Sequence, residues 1–215
     1  DVRARINVLS EIPKEWDAKV KAWRSINKSK KKRIKRRAVP DSNDEYFFYQ
    51  TLIGACPFDS KEHSAFVQRM KDYTVKAIRE AKVHSGWLKP DTDYEDAYLV
   101  FIERVLRPGE ENDFLKEFLP FQRKIAHYGI LNSLSQTLLK ITMPGIPDYY
   151  QGTELWFLTL VDPDNRRPVD FKKRKRFLEE ARRNETNPDY LEKIKESPQD
   201  GKIKLFLTYR ALKTR

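Results

Sequence analysis

The amino-acid sequence predicts a mainly helical fold. Apolar residues recur at steps of three and four over most of the chain, which is the spacing of one helix face. Signals for helix starts and stops, including capping residues and prolines, bound several of these stretches. With 215 residues, of which 39% are hydrophobic and 12% aromatic, the chain can also bury a sizeable core.

The amino-terminal part predicts four helices. Residues 1 to 28 should form two helices broken at Pro13, because proline lacks the amide hydrogen and clashes with the preceding turn. The polar turn 40–45 can cap a helix over Tyr46 to Cys56. Ser60 to Lys82 has apolar residues on one face only, and therefore predicts a surface helix.

Two further helices are predicted in the centre of the chain. Thr92-Asp93-Tyr94-Glu95 matches a capping box, so a helix should run from there to about Leu106. Asn112 to Thr142 predicts a long helix with a kink or break near Pro120. Its buried stripe should consist of Ile125, Tyr128, Leu131, Leu134, Leu138 and Leu139.

The carboxyl-terminal part contains one change of pattern. Met143 to Asp170 has no helical period, with room for a short strand over Ile146 to Gln151 and then a long ordered loop. Helices should resume over Phe171 to Asn184 and around Leu191 to Glu196. Lys202 to Arg215 fits either a strand or a helix, and we favour the helix.

The net charge of +11 is concentrated in one run. Lys28 to Arg37 contains eight basic and no acidic residues. Such a run can contact phosphate groups or act as a targeting signal. However, it contains no aromatic residue for base stacking, and like charges repel one another. We therefore favour a mobile, solvated segment.

Most standard signatures of chemistry are absent. His63, His84 and His127 are far apart and adjoin no cysteine, so no metal site is predicted. No glycine-rich phosphate loop or nucleophile elbow occurs, and no cofactor is expected. The lone Cys56 excludes internal disulfides and favours a cytoplasmic setting. No apolar run reaches the roughly 20 residues that span a bilayer.

One stretch, "TMPGIPDYYQGTELW", has a composition suited to sugar binding. Its prolines stiffen the backbone and its glycines allow unusual torsions around Tyr149, Tyr150 and Glu154. A sugar ring stacks on aromatic faces, while its hydroxyls need carboxylates, amides and guanidinium groups. The loop Asp162 to Asp170 supplies all three. A surface loop of self-paired Asp and Arg residues fits the same composition equally well.

Several segments together carry a family resemblance. In chain order they are "DVRARINVLSEIP", "PDSNDEYFFYQTLIGACP", "KAIREAKVHSGW", "GILNSLSQTLLKITMPG", "PGIPDYYQGTELWFLTLVDPDNRRPVDF" and "DGKIKLFLTYRAL". They resemble the maltooligosyltrehalose synthases, which are members of the alpha-amylase superfamily. The resemblance covers nearly the whole chain.

The resemblance implies a fragment of a larger (β/α)8-barrel enzyme with three regions. Residues 1–140 would be a helical insertion, 141–170 the eighth barrel strand and its substrate-side loop, and 171–215 the carboxyl-terminal helices. The family's three catalytic carboxylates would precede the residues that match Asp1 to Arg5. No catalytic residue is therefore predicted here, and the chain is expected to be inactive alone.

The implied enzyme converts the reducing-end α-1,4 bond of a maltooligosaccharide into an α,α-1,1 (trehalose) bond by intramolecular transglycosylation. The expected partner is thus a maltooligosaccharide, and neither nucleic acid nor a membrane; the oligomeric state is open. The alternative is a basic helical module that binds nucleic acid or serves as a scaffold. The predicted substrate-binding residues are Tyr149, Tyr150, Gln151, Glu154, Asp162, Asp164, Asn165, Arg166 and Arg167.

Overall fold

A computed structural model describes residues 1–215, and its regular structure is almost entirely helical. The predicted mainly helical fold is confirmed. The helices are α1 (Val2–Val8), α2 (Pro13–Asn27), α3 (Ser42–Ala55), α4 (His63–Ala81), α5 (Thr92–Leu106), α6 (Asp113–Thr142), α7 (Phe171–Arg183), α8 (Pro188–Glu196) and α9 (Lys202–Thr214). Strands β1 (Lys32–Ile34) and β2 (Arg37–Val39) pair antiparallel. No helix combines the length and apolarity needed to cross a membrane.

The break at Pro13 is confirmed, and so is the helix over the carboxyl-terminal residues. A short 3-10 turn, Leu9–Glu11, follows α1, and Pro13 is the first residue of α2. Proline fits that position because the amide it lacks would have no helical partner there. At the end of the chain, Leu205 of α9 packs with Phe177 and Ala181 of α7. The helix brings the apolar residues of this segment to one side, whereas a strand would place them further apart.

The capping box predicted for α5 is wrong. The cap is Asp91, whose Oδ1 accepts a hydrogen bond from the amide of Tyr94 at 3.1 Å. Glu95 instead accepts two hydrogen bonds from Arg79 of α4, at 2.8 and 2.6 Å. Its carboxylate therefore ties α4 to α5 and is not available to cap the helix.

Helix α6 runs without a break through Pro120, so of the predicted kink or break the break is not formed. A proline inside a helix removes one backbone hydrogen bond. Phe118 and Phe121 on either side of it are 1% and 4% exposed. Since tertiary packing supplies most of the stability of a protein helix, burial of these rings outweighs the missing hydrogen bond.

The buried stripe predicted for α6 is mostly wrong. Ile125 is buried, but Tyr128, Leu131, Leu138 and Leu139 are 42% to 59% exposed. The buried side of the second half of α6 carries small residues such as Gly129 and is packed against α1 and α9. Because the buried side includes Ser133 and Thr137 while several leucines lie on the exposed side, the hydrophobic pattern indicated the wrong side.

The basic run forms a hairpin and not the predicted loop, although most of its side chains are exposed, as expected of a solvated segment. Strands β1 and β2 are joined by Lys35 and Arg36, whose positive φ angles of 47° and 69° make the tight turn. Lys31 Nζ donates to Glu45 Oε2 at 2.7 Å, and Val39 is buried. One ion pair and one apolar anchor thus fix this highly charged segment to the core.

The strand predicted over Ile146 to Gln151 is not formed. The segment is irregular, and Ile146 is 97% exposed. A strand needs a hydrogen-bonded neighbour, and the only sheet in the structure is the β1–β2 hairpin. Sequence composition alone did not reveal this lack of a partner.

Trp23 of α2 lies at the centre of the main core and is fully buried. Its ring makes edge-to-face contacts with Tyr49, Phe114 and Phe118 at centroid distances of 5.4 to 5.7 Å. Such aromatic contacts add to the free energy gained from burial. A smaller cluster around Leu155 and Phe177 lies beneath α7 and α9.

Arg5 of α1 is buried where α1, α3 and α6 meet. Its Nη1 donates to the carbonyl oxygens of Gly54 at 3.3 Å and Cys56 at 2.6 Å, and its guanidinium lies 4.5 Å from the centroid of the Phe58 ring. Burial lowers the pKa of Arg5 to about 10. One side chain thus joins α1 to the end of α3 and to the segment that follows.

The contact between α1 and α6 depends on Gly129. A Cβ at this position would lie 2.5 Å from Arg5 Cγ and 3.1 Å from Arg5 Cα. The second distance involves backbone, so rotation of a side chain cannot relieve it. Helix α1 therefore lies as close to α6 as it does only because residue 129 is glycine.

We predict that Gly129→Ala lowers the free energy of unfolding by about 1–3 kcal/mol, the usual cost of overpacking. The direction is diagnostic, since alanine has the higher helix propensity and would otherwise stabilise α6. Urea unfolding followed by circular dichroism measures the change. The control is Gly86→Ala, where a Cβ meets no atom within 4 Å. Equal stability of the two variants would contradict the close packing.

Candidate functional site

An open cavity of about 630 Å³, which we call the loop cavity, lies beside the loop singled out in the sequence. Its size is within the range of small-molecule sites. One wall is the segment Leu155 to Thr159 and another is the start of α7. The lining residues are Pro57, Phe58, Asp59, Glu62, Arg69, Leu155, Trp156, Phe157, Leu158, Thr159, Arg167, Pro168, Val169, Asp170, Lys173, Arg174, Gln199 and Asp200.

Asp164 holds the loop against α4. Arg69 of α4 donates from Nε and Nη2 to the two carboxylate oxygens of Asp164, both at 2.8 Å, and from Nη2 to the carbonyl of Leu158 at 2.6 Å. The Asp164 carboxylate also accepts from the amide of Leu160 at 2.7 Å. Burial alone would raise the pKa of Asp164, but these donors outweigh it and lower that pKa.

The exposed part of the loop carries the remaining charged groups. Arg166 Nη2 donates to Asp162 Oδ2 at 2.9 Å, and both side chains are largely open to solvent. Arg167 is half-exposed at the rim of the loop cavity, with Nε 2.9 Å from Asp164 Oδ1. Asn165 has a buried Oδ1 without a hydrogen-bond partner. The self-paired arrangement considered from the sequence thus exists, yet leaves both arginines accessible.

The tyrosines lie beside this loop. Tyr150 is 47% exposed, with its ring centroid 5.9 Å from that of Phe157. Its hydroxyl donates to the carbonyl of Asn165 at 3.3 Å. The Tyr149 ring is covered by Lys140 Nζ at 4.1 Å. Gln151 is exposed. None of these three side chains lines the loop cavity.

Glu154 ties the turn after Tyr150 to α7. Its Oε2 accepts from Arg174 Nε at 2.8 Å, and Arg174 Nη2 donates to the carbonyl of Gly152 at 2.7 Å. Arg174 in turn lines the loop cavity. Among the predicted site residues, the structure therefore brings only Arg167 into the cavity wall and places the others in the loop behind or beside it.

The opposite end of the cavity wall is fixed by Lys204 and Asp1. Lys204 Nζ donates to both carboxylate oxygens of Asp1 at 3.0 Å and to the carbonyl of Leu155 at 3.3 Å. Asp1 Oδ2 also accepts from the amide of Phe157 at 2.6 Å. These contacts hold the 155–157 segment against α1 and α9.

Several cavity residues were missed by the sequence reasoning. Phe58 follows the helix-ending Pro57, and its position gave no sign that it would meet the distant 155–170 segment. Arg69 lies on the polar side of the predicted surface helix, where nothing in the local sequence indicates a partner 95 residues away. Trp156 could have been identified from the sequence as a cavity residue, because it lies in the aromatic stretch. Long-range packing, which a single sequence does not encode visibly, brings these side chains together.

Asp41, Asp44 and His84 form a separate group with ligand atoms within 4.8 Å of one another. His84 Nε2 lies 2.7 Å from Asp41 Oδ2, and the Asp44 carboxylate accepts from the Tyr94 hydroxyl. Burial raises the pKa of Asp44. Asp41 also caps α3 through the amides of Asn43 and Asp44. These protein contacts already occupy the carboxylates, so Asp41 and Asp44 have structural roles in the segment "PDSNDEYFFYQTLIGACP".

The comparisons place the chain among proteins named as trehalose-forming synthases. No protein-family model matches the chain. It is similar over its whole length to a maltooligosyl trehalose synthase of known crystal structure, with 40% identity and a TM-score of 0.82. A glycosyltrehalose synthase of DSM5389 has 42% identity and a TM-score of 0.80. A putative maltooligosyl trehalose synthase of Mycobacterium tuberculosis is 35% identical over 175 residues.

The resemblance to maltooligosyl trehalose synthases is thus confirmed. The match covers all of this chain in the two structures and 81% of it in the mycobacterial protein. It accounts for 27% and 26% of the two solved chains and 21% of the mycobacterial relative. The chain therefore spans about a quarter of the length of these proteins.

We predict that Asp164→Asn destabilises the protein by about 3 kcal/mol at neutral pH, because it breaks a mostly buried pair with Arg69. Since folding lowers the pKa of Asp164, its contribution is fully present above the ordinary value of 3.8. That contribution disappears as the pH falls through the lowered value. Urea unfolding from pH 7 to pH 2 measures it. The difference between variant and wild type should vanish at the acidic end, and a constant difference would contradict this role.

Proposed function

We propose that the chain is the substrate-side region of a maltooligosyl trehalose synthase, in which the carboxyl-terminal part of the catalytic region forms one wall of the sugar site. The whole enzyme would convert the reducing-end α-1,4 bond of a maltooligosaccharide into an α,α-1,1 bond. Similarity to such synthases along the entire chain supports this proposal. Nothing in the comparisons favours the nucleic-acid alternative.

The single observation that carries the sugar site is the composition of the loop cavity. Aromatic rings of Phe58, Trp156 and Phe157 line the same cavity as the charged groups of Arg167, Asp170 and Arg174. A glucose unit presents an apolar face of CH groups and a rim of hydroxyls. The aromatic rings can stack on the apolar face, and the charged groups can form hydrogen bonds with the hydroxyls.

The predicted substrate residues fall into three groups in this proposal. Tyr150, Asp162, Arg166 and Arg167 have accessible side chains that can contact sugar hydroxyls or rings. Asp164 and Glu154 are positioning residues, since protein donors already use their carboxylates. Tyr149, Gln151 and Asn165 remain candidates at the edge of the site. Within the larger enzyme, Ile146 to Gln151 would then pair as the last barrel strand.

Binding of maltotriose to the folded chain tests the sugar site, with isothermal titration calorimetry as the measurement. We predict that Arg167→Gln weakens binding about tenfold, the effect of losing one charge-assisted hydrogen bond. The control is Arg183→Gln at the exposed end of α7, where the guanidinium lies 3.9 Å from Glu179. Absence of maltotriose binding, or equal affinities of the two variants, would refute the assignment.

The catalytic chemistry is proposed to reside on other polypeptide. None of the 215 residues matches the three catalytic carboxylates that the family resemblance implies. In a retaining glycosidase scheme, a nucleophile and an acid carboxylate are both required. The chain alone should therefore carry out neither transfer nor hydrolysis.

We predict that the 215-residue chain, incubated with maltopentaose, produces no trehalose-ended sugar. Formation of an α,α-1,1 bond removes the reducing end, so a reducing-sugar assay combined with mass spectrometry distinguishes transfer from hydrolysis. A maltooligosyl trehalose synthase of full length serves as the positive control. Loss of reducing ends without a change in mass, observed with this chain alone, would contradict the proposal that the catalytic carboxylates lie on other polypeptide.

A further inference from the structure

An open cavity of about 670 Å³, which we call the α7–α9 groove, lies between helices α7 and α9. Leu205 in its lining is buried, whereas Phe171 is 58% and Leu212 is 43% exposed. Leu178 and Tyr209 complete the apolar lining. The groove thus combines a buried apolar residue with two large apolar side chains that remain open to solvent.

The groove residues of α7 lie along one side of that helix. Arg174, Lys175, Leu178 and Arg182 follow Phe171 by three, four, seven and eleven residues, which is the spacing of one helix face. At 1.5 Å per residue they extend over about 16 Å, or roughly three helical turns. A groove of this length and apolarity fits one side of an amphipathic helix, whose own apolar residues recur at the same steps.

The charges around the groove favour an acidic occupant. Its charged lining residues are Arg174, Lys175, Arg182, Lys213 and Glu154. Arg174 pairs with Glu154 at 2.8 Å, and Lys213 pairs with Glu185 outside the lining, also at 2.8 Å. Lys175 and Arg182 are exposed and form no ion pair. Two unpaired cations beside an apolar groove are complementary to carboxylates that flank the apolar side of a helix.

A sugar fits the α7–α9 groove less well than an apolar helix. The groove has two neutral hydroxyl groups, and both are already in use. The Thr208 hydroxyl donates to the carbonyl of Lys204 at 2.9 Å. The Tyr209 hydroxyl donates to Glu185 Oε2 at 2.9 Å. The hydroxyls of a sugar would therefore find few free neutral partners here.

A second copy of this chain is also a poor match. The exposed apolar side of α6 would have to supply carboxylates to Lys175 and Arg182, yet the sequence contains no acidic residue between positions 123 and 142. The net charge of +11 further opposes self-association. The chemistry of the groove therefore favours a different polypeptide.

We propose that the α7–α9 groove is a docking surface for an acidic amphipathic helix of a partner protein. Apolar residues of the partner helix cover Phe171, Leu205 and Leu212, while its carboxylates pair with Lys175 and Arg182. Arg174 is the only residue that this groove shares with the loop cavity. The docking surface goes beyond the proposed sugar site, and its assignment does not depend on sugar binding.

Fluorescence anisotropy with a labelled synthetic peptide tests the docking surface. The probe is an amphipathic peptide of about 14 residues, or roughly 21 Å of helix, with leucines along one side and glutamates on both flanks. A second peptide carries lysines in place of the glutamates. The 215-residue chain is expected to bind the acidic peptide about tenfold more tightly than the basic one, because like charges across an interface repel.

Two pairs of charge variants test the role of the unpaired cations. Lys175→Gln combined with Arg182→Gln should weaken binding of the acidic peptide about tenfold. The matched control combines Lys172→Gln with Arg183→Gln, which removes the same charge from α7 at positions outside the groove. The control should bind the acidic peptide as tightly as wild type does.

Leu212→Ser tests the apolar part of the groove and should weaken binding of the acidic peptide about tenfold. Its control is Leu191→Ser on α8, because Leu191 is 40% exposed and lies outside the groove. Circular dichroism verifies that each variant is folded. The charge variants and Leu212→Ser are independent, so loss of one to misfolding leaves the test intact.

Absence of binding of the acidic peptide, equal affinity for the two peptides, or equal effects of the groove variants and their controls would overturn the proposal. Binding to phosphatidylserine vesicles that is lost in the Lys175→Gln, Arg182→Gln variant, without peptide binding, would assign the groove to a membrane surface instead. A dimer in sedimentation equilibrium that Leu212→Ser dissociates would assign it to a second copy. Maltotriose titration tests the sugar site separately, so failure of one assignment leaves the other standing.

Discussion

One buried guanidinium holds together the parts of the molecule that matter for the site. Transfer of a charge from water to a protein interior is costly, and Arg5 offsets this cost through two backbone carbonyls and an aromatic ring. The same residue demands glycine at position 129, because its backbone lies against α6. The packing of α1, the end of α3 and the placement of Phe58 are therefore consequences of a single arrangement. The position of Phe58 in the wall of the loop cavity is therefore fixed by the helical core.

The loop beside the cavity is positioned by ion pairs at both ends. Arg69 and Asp164 attach it to α4, while Lys204 and Asp1 attach the preceding segment to α1 and α9. The carboxylates of Asp164 and Asp1 accept hydrogen bonds from these ties and also from backbone amides, so they have less capacity left for a ligand than the arginines do. This division explains why a loop so rich in Asp and Arg leaves only a few side chains accessible, and why those few are held in defined positions.

Local sequence signals predicted the elements whose formation depends on residues close together in the chain. Helical spacing gave the helices, and Pro13 marked a boundary because a missing amide acts within one turn. Signals failed where a distant partner decides the outcome. The basic hairpin depends on Glu45, the exposed side of α6 depends on where α1 packs, and Ile146 to Gln151 lacks a neighbouring strand. For the site, the resemblance located the loop, but Phe58 reaches it only through tertiary packing.

The second half of α6 has an apolar side that this chain leaves open to water. Apolar helix faces are normally covered by other parts of a protein. The side bearing Tyr128, Leu131, Leu138 and Leu139 therefore has the composition of a protein interior but lacks residues that cover it. In solution on its own, the domain would be kept dispersed by its positive charge, while this strip would make it prone to adhere to any complementary nonpolar surface.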